Sequence, residues 1–294
     1  MASNYTGNPT ATQSPGPTPQ PGVAPIISIP AGTDVRTIES ITQAFKESAD
    51  FIAYIQNRSE LVTHRENYLF TDTASFSANQ APVPNYGQLT MNITGGSVTG
   101  AQPGFSVASY LAKTLQITPA NVLNNTAFIS TTARLLPFAT GVTLSNLTSE
   151  LIVPVAFSNI TNTANWFIGT ATSQAPATAA TPAHGVGFYY QGASGSWGTV
   201  VEASTTPVGA GSNPVANTFQ LLKVEYFGSA TPQGVANAGT AFVKFSINGT
   251  QVTTINATPG AAQGHYVVIG GWQPANVTAQ TMYVGPFTFR TNQQ

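Results

Sequence analysis

The chain has 294 residues, a formal net charge of −1 and no cysteine, and only 6% of its residues are charged. Ordinary soluble domains contain roughly a quarter charged residues. Without a basic excess, nucleic acid is not expected as a partner. Without cysteine there is no disulfide, thiolate metal site or cysteine nucleophile.

The N-terminal sequence MASNYTGNPT has neither the basic nor the apolar region of a secretory signal. No segment approaches the run of about 18 apolar residues that spans a membrane. We therefore expect the chain to fold in a cytoplasm, without membrane insertion. With so few charges, solubility must depend on polar uncharged side chains or on burial in an assembly. Virion proteins fold in a cytoplasm and are buried in an assembly, because they assemble in the host cytoplasm and become extracellular after lysis.

Charge divides the sequence into three regions. Residues 1–33 carry no charged side chain, residues 34–66 carry ten, and the remaining nine are spread over the rest of the chain. We predict a proline-rich arm over 1–30, an amphipathic helical segment over 31–61 and a β domain over 62–294.

The arm contains seven prolines, which exclude a helix or an interior strand and favour extended polyproline structure. Two interpretations are open: a disordered tail, or an anchor that becomes ordered on a partner. The second is favoured by Ile26, Ile27 and Ile29, because these side chains would otherwise lie in water.

A helix is predicted over about 34–57, with Thr33 or Asp34 as its N-cap. Its apolar positions follow an a/d heptad and comprise Ile38, Ile41, Phe45, Ile52 and Ile55. Isoleucine at both a and d favours three or four strands in a coiled coil. The helix either packs on its own domain or forms a short trimeric stalk, which at three heptads is too short to trimerise alone.

The remainder of the sequence reads as β structure. Runs of β-branched and aromatic residues separated by Gly, Pro, Asn and Ser predict strands and turns, without intervening long helical patterns. Such a pattern predicts an antiparallel β-sandwich or jelly roll. The predicted strands cover 68–70, 89–93, 126–136, 149–157, 165–171, 186–191, 197–203, 219–227, 266–271 and 281–289, and a short helix is predicted over 107–115.

The sharpest local prediction is a hairpin over FVKFSINGTQVTTI, residues 242–255. Asn248-Gly249 is typical of a two-residue type I′ turn, which needs φ > 0 at both positions. The predicted apolar face contains the pairs Ile247–Thr250, Phe245–Val252 and Val243–Thr254. The opposite face is predicted to be polar and carries Lys244, Ser246, Gln251 and Thr253.

The order VGFYYQGASGSWGTVVEA, NTFQLLKVEYFG, GTAFVKFSINGTQVTTINATP and MYVGPFTFR resembles the concanavalin/laminin-G-like jelly rolls of tailed-bacteriophage structural proteins. The segment AGTDVRTIESITQAFKESADFIAYIQ is similar to the short oligomerising helices that precede such domains in phage fibres and appendages. The resemblance implies a virion structural protein. The chain departs from the lectin-type members by lacking an acidic metal-binding cluster.

Acidic residues are scarce in the β region. After Asp72 the only ones are Glu150, Glu202 and Glu225. Calcium sites usually use several carboxylates, and glycosidases need two positioned ones. Glu202 and Glu225 can pair only across strands, and no motif surrounds either. We therefore predict no catalytic, cofactor-binding or metal-binding residue.

Aromatic side chains are the candidate binding residues, because their faces stack on sugar rings. We single out Trp197, Tyr190 and Trp272 as possible glycan or partner contacts; packing in the core or between subunits is the alternative. Because Tyr189 and Tyr190 are adjacent, one of them is expected to face out of its sheet.

These observations predict a non-enzymatic tailed-phage virion protein, a fibre or tail appendage that is attached by its arm and mediates assembly and host adhesion. The expected partners are other virion proteins, further copies of the chain in a trimer, and a host surface glycan, without a cofactor. A capsid decoration protein is the nearest alternative. An alternative of another class is a carbohydrate-binding module or cell-surface adhesin.

Overall fold

A computed structural model describes the β region of the chain. Contacts within the chain divide it into Met1–Thr63 and His64–Gln294, and all described residues belong to the second unit. They are 64–68, 75–76, 89–107, 111, 113–135, 147–160, 164–174, 184–202, 204–231, 233–234, 238–256, 264–275 and 280–293. The predicted arm and helix lie outside them, with Ile26, Ile27, Ile29, Ile38, Ile41, Phe45, Ile52 and Ile55. The predicted domain boundaries stay predictions.

The described residues form seventeen strands in two antiparallel sheets. The ten-stranded sheet consists of β1 (His64–Tyr68), β2 (Ser75–Phe76), β4 (Gly96–Ala101), β5 (Thr114–Pro119), β7 (Leu147–Phe157), β12 (Gln220–Phe227), β13 (Phe242–Ile247), β14 (Thr250–Asn256), β16 (Met282–Val284) and β17 (Phe287–Gln293). The seven-stranded sheet consists of β3 (Leu89–Ile93), β6 (Thr126–Thr131), β8 (Asn165–Ala171), β9 (Val186–Gln191), β10 (Ser196–Val201), β11 (Ser204–Pro207) and β15 (Tyr266–Trp272). A 3-10 turn covers Ala210–Ser212.

The ten-stranded sheet has the order β14-β13-β12-β7-β16-β5-β4-β2, and the seven-stranded sheet has the order β11-β10-β9-β8-β15-β6-β3. The long strand β7 pairs with β16 along one part of its length and with β17 along another, and β17 pairs in turn with β1. Strands distant in sequence are therefore neighbours in space around β7.

The inner faces of the two sheets share one core. Phe157 of the ten-stranded sheet stacks on Tyr190 of the other at 4.6 Å between ring centroids, and also contacts Trp166 and Trp197. The indoles of Trp197 and Trp166 are hydrogen-bonded: Trp197 Nε1–H donates to Gln220 Oε1 at 2.8 Å, and Trp166 Nε1–H donates to Gln280 Oε1. This face-to-face packing makes the fold an antiparallel β-sandwich, as predicted.

Several strand predictions are confirmed at their bounds, namely 89–93, 165–171 and 186–191. The predicted strand 281–289 is two strands, because Gly285 and Pro286 interrupt it and proline has no N–H for the ladder. The predicted helix over 107–115 is wrong at its end, where Thr114 and Leu115 open β5 and are buried. The sequence prediction also missed β4, whose residues GSVTGA include only one large apolar side chain.

The Asn-Gly hairpin is confirmed, with φ of +52° at Asn248 and +81° at Gly249. The predicted pairing holds at Ile247–Thr250 and is wrong farther from the turn, because the register shifts between Phe245 and Ser246.

The observed partners beyond the shift are Phe245–Thr253, Lys244–Thr254 and Val243–Ile255. A bulge of this kind inserts one extra residue in a strand. Here it lets both Val252 and Ile255 pack against the core, whereas Thr254 is exposed.

Within the described ranges, no helix is long and apolar enough to cross a membrane.

Candidate functional site: a charged row on the outer face of the ten-stranded sheet

Charge is concentrated at one place in the sandwich. Nine charged residues follow position 66 in the sequence. Five of them meet on the outer face of the ten-stranded sheet, and we call them the charged row: Arg290, Glu150, Glu225, Lys244 and Lys223.

Strand register produces the row. Arg290 of β17 lies opposite Glu150 of β7, Glu150 lies opposite Glu225 of β12, and Glu225 lies opposite Lys244 of β13. Cross-strand neighbours on one face have Cβ atoms about 4.5–5.5 Å apart, so two directly opposite carboxylates repel each other. Lys223 lies two residues before Glu225 on the same face of β12 and offsets this repulsion.

The cations of the row bind all four oxygens of its two carboxylates. Lys223 Nζ lies 2.6 Å from Glu150 Oε2 and 2.8 Å from Glu225 Oε1. Arg290 Nε lies 2.8 Å from Glu150 Oε1, and Lys244 Nζ lies 3.6 Å from Glu225 Oε2. Burial acts to lower the pKa of Lys223, but its hydrogen bonds to Glu150 and Glu225 outweigh burial, so this pKa is raised and the ammonium form is favoured.

Exposure differs between the two signs of charge. The glutamate side chains are 10% and 13% exposed, whereas the side chains of Lys223, Lys244 and Arg290 are 32%, 35% and 47% exposed. The carboxylates therefore form the buried base of the row, and the ammonium and guanidinium groups form its accessible surface.

An open groove of about 400 Å³ runs over this row. Its charged lining consists of Glu150, Glu225, Lys244 and Arg290, and its neutral lining consists of Thr148, Ser149, Phe227, Gln233 and Asn292.

The neighbouring row supplies an aromatic and polar part of the groove. Asn292, Thr148 and Phe227 are successive cross-strand partners, each two residues from the corresponding member of the charged row. The Phe227 ring stacks on Phe242 at 4.8 Å and remains partly exposed. The groove thus combines exposed cations, hydrogen-bonding side chains and one aromatic face. Among the described cavities, another, lined by the inner faces of both sheets, has only about 10 Å³, room for a water molecule at most.

The aromatic residues that the sequence singled out lie elsewhere. Trp197 is 1% exposed, Tyr190 0% and Trp272 1%. Trp197 and Tyr190 belong to the inter-sheet core, and Trp272 belongs to a second buried cluster with Phe128. This corrects the expectation that their rings contact a glycan, because a sugar cannot reach a buried ring; core packing, the alternative, accounts for them.

Tyr189 is the tyrosine that faces away from the core, as the alternation of side chains predicts. It is partly buried and stacks on Trp272 at 5.9 Å. Burial raises the pKa of its hydroxyl, so it remains a neutral phenol at ordinary pH.

Sequence reasoning considered the wrong pair of carboxylates. Glu225 lies opposite Glu150 rather than Glu202. Glu202 instead contacts His184 beside the β9–β10 hairpin, with 2.6 Å between His184 Nδ1 and Glu202 Oε2. Both residues have positive φ, +53° for His184 and +54° for Glu202. The pair is partly exposed, and among the described residues no group of three or more His, Asp or Glu side chains is arranged to hold a metal ion.

Comparisons with known proteins show a likeness of fold. No family model matches the chain, and no curated protein matches it. Peanut lectin is 15% identical with a TM-score of 0.47, over 76% of this chain and 99% of the lectin. Lotus tetragonolobus seed lectin is 13% identical with a TM-score of 0.47, over 79% and 99%. A carbohydrate esterase from the Shiga toxin-encoding bacteriophage phi24B is 14% identical with a TM-score of 0.46, over 78% and 100%.

Proposed function

We propose that this protein is a non-enzymatic structural and adhesion protein of a tailed-phage virion, whose β-sandwich binds a host surface glycan in the groove over the charged row. The observation that carries the binding proposal is the groove itself. In a chain with 6% charged residues, four charged side chains, an aromatic side chain and several amide or hydroxyl side chains line this groove. Polar groups at fixed positions beside an apolar surface are typical of small-ligand sites.

The virion setting is supported by the composition, the proline-rich arm and the heptad pattern of the N-terminal region. Within it, a fibre or tail appendage is our first proposal and a capsid decoration protein our second. Mass spectrometry of purified virions tests the setting, and the copy number of the chain distinguishes appendage from decoration. A truncated chain lacking residues 1–30 should keep its folded sandwich but be absent from particles. Normal incorporation of this chain would contradict the anchor.

The proposal assigns binding rather than hydrolysis to the groove. A glycosidase acid must hold a proton beside the scissile bond, whereas each oxygen of Glu150 and Glu225 faces a cation at 2.6 to 3.6 Å. Incubation of the full chain with bound oligosaccharides should release no new reducing ends. If the chain releases reducing ends and Glu150→Gln abolishes this release, the groove is catalytic and the non-enzymatic proposal is wrong.

A glycan array tests the binding function directly. The full chain should bind a subset of oligosaccharides, and Arg290→Gln should weaken that binding. Lys113→Gln is the matched control, because Lys113 is an exposed cation outside the lining of the groove. Equal loss in both variants, or no binding by the unaltered chain, would contradict the proposal.

A further inference from the structure

The geometry points to an acidic sugar as the ligand of this groove: a glycan whose ring carries a carboxylate. This inference rests on the proposed glycan-binding function and adds the chemical class. It begins with the sign of the accessible charge. Three cations and two carboxylates form the row, and the cation side chains are 32–47% exposed whereas the carboxylate side chains are 10–13% exposed. A ligand entering the groove therefore meets positive charge first.

The carboxylates hold the cations in position. Arg290 contacts Glu150 through Nε at 2.8 Å, and a guanidinium has five N–H donors, more than this contact uses. Lys244 lies 3.6 Å from Glu225, beyond ordinary hydrogen-bond length, although an ion pair remains. Arg290 and Lys244 therefore retain donors for an anion. A cation that is already fixed loses less conformational freedom on binding than a mobile side chain does.

The spacing of the two rows suits a ring that carries one anionic group. Two residues along a strand correspond to about 7 Å, so an anion at Arg290 or Lys244 places the rest of the ligand over the neighbouring row. That row offers the partly exposed Phe227 ring together with Thr148 and Asn292. An aromatic face accommodates the C–H side of a sugar, and amide and hydroxyl groups bind its hydroxyls.

A carboxylate suits Arg290 because a planar guanidinium matches two oxygens of one anionic group. The groove is also a concave space of about 400 Å³, within the size range of small-ligand sites. An acidic protein partner would be expected to bind a broader and flatter surface.

Calorimetric titration of the full chain tests the inference with four probes: tetragalacturonate, its neutral analogue galactotetraose, a sulfated galactotetraose and hexaglutamate. We expect tetragalacturonate to bind at least tenfold more tightly than the neutral analogue. Raising the salt concentration from about 0.05 to 0.5 M should weaken this binding, because partly exposed charges are screened.

Variants locate the interaction. Arg290→Gln should weaken tetragalacturonate binding about tenfold or more, Arg290→Lys should restore part of it because the charge returns without the planar fork, and Lys113→Gln should leave it unchanged. Thermal unfolding of each variant separates lost binding from lost folding. Phe227→Leu should weaken both tetragalacturonate and any neutral sugar, because it removes the aromatic face.

Other outcomes overturn the inference in distinguishable ways. If neutral and acidic sugars bind equally and Phe227→Leu weakens both, the glycan function survives and the acidic assignment is wrong. If the sulfated sugar binds as tightly as the uronate, the groove recognises charge and not the carboxylate. If hexaglutamate binds as tightly, the sugar assignment is wrong. If no sugar binds, the proposed binding function is wrong as well.

Discussion

On four neighbouring strands of the ten-stranded sheet, consecutive residues form two rows that lie on opposite faces. The inner row consists of Phe289, Leu151, Val224 and Phe245, which are cross-strand partners and 0–8% exposed. The outer row consists of Arg290, Glu150, Glu225 and Lys244, each one position away along its strand. Because side chains alternate between faces, β17, β7, β12 and β13 carry an apolar core on one side and a groove on the other.

Under the proposed function, the inner face of these strands determines stability and the outer face determines ligand binding. Substitutions in the inner row should change the free energy of unfolding, and substitutions of the exposed outer cations should change binding. A change of register by one residue would exchange the two faces.

The largest effect is expected for Phe245→Ala. Phe245 is completely buried and contacts Phe188 of the opposite sheet edge-to-face, with 5.4 Å between ring centroids. Truncation of a core phenylalanine costs about 3–5 kcal/mol, which urea unfolding of the full chain would measure. A cost below about 1 kcal/mol would mean that Phe245 does not belong to the core.

The pH dependence of the unfolding free energy tests whether the buried His265 stays uncharged in the folded chain. Burial, followed by the charges of His184 and Arg134, lowers the pKa of His265 to about 4 from an ordinary value of 6.5. Folded His265 therefore remains neutral between pH 6.5 and 4, whereas the unfolded chain binds a proton in this window. Its contribution to stability is fully present above pH 6.5 and falls as the pH drops to about 4, by at most about 3 kcal/mol.

The matched comparison for this titration is His265→Gln, measured by urea unfolding at the same pH values. The difference in unfolding free energy between the two proteins should change with pH below 6.5 and stay constant above it. Parallel curves throughout would show that His265 is not held neutral in the folded chain.

The turn of the hairpin gives a smaller expected effect. Gly249 has a φ of +81° and open space around a would-be Cβ, so backbone strain alone opposes a side chain there. Gly249→Val should cost about 1–3 kcal/mol. Gly209→Val is the control, because Gly209 also has open space but a φ of −57°. Equal costs in the two variants would contradict the type I′ geometry.

The smallest effect on stability is expected for Lys244→Ala. Lys244 is partly exposed, and its contact with Glu225 is long at 3.6 Å. We expect the unfolding free energy to change by no more than about 0.5 kcal/mol, while binding of an acidic sugar weakens. A loss larger than that of Phe245→Ala would show that the two faces are assigned the wrong way round.

Local patterns were sufficient for much of the fold. Alternation and turn residues predicted β3, β8 and β9 at their bounds, and Asn248-Gly249 predicted its turn. The prediction was less accurate where the local sequence pattern was weak or where the structure depends on contacts between distant residues. The residues of β4 have few large apolar side chains, and the bulge beside Phe245 depends on how Val252 and Ile255 meet the core.

The site was harder to predict than the strands. Alternation already places Glu150, Glu225 and Lys244 on the polar sides of their strands. Nothing local shows that residues 150, 225 and 290 become neighbours, because that depends on β12 and β17 both pairing with β7. The chemistry of tryptophan favoured a binding role, but the indoles of Trp166 and Trp197 donate hydrogen bonds to buried glutamine side chains, which allows both to be core residues.

A crystal structure of the full chain grown with tetragalacturonate is the most direct test of the central claim. We expect electron density for a uronate in the groove, with its carboxylate within hydrogen-bond distance of Arg290 or Lys244 and its ring against Phe227. Density for the sugar on the seven-stranded sheet, or an empty groove in crystals saturated with the sugar, would contradict the claim that the charged row is the binding site.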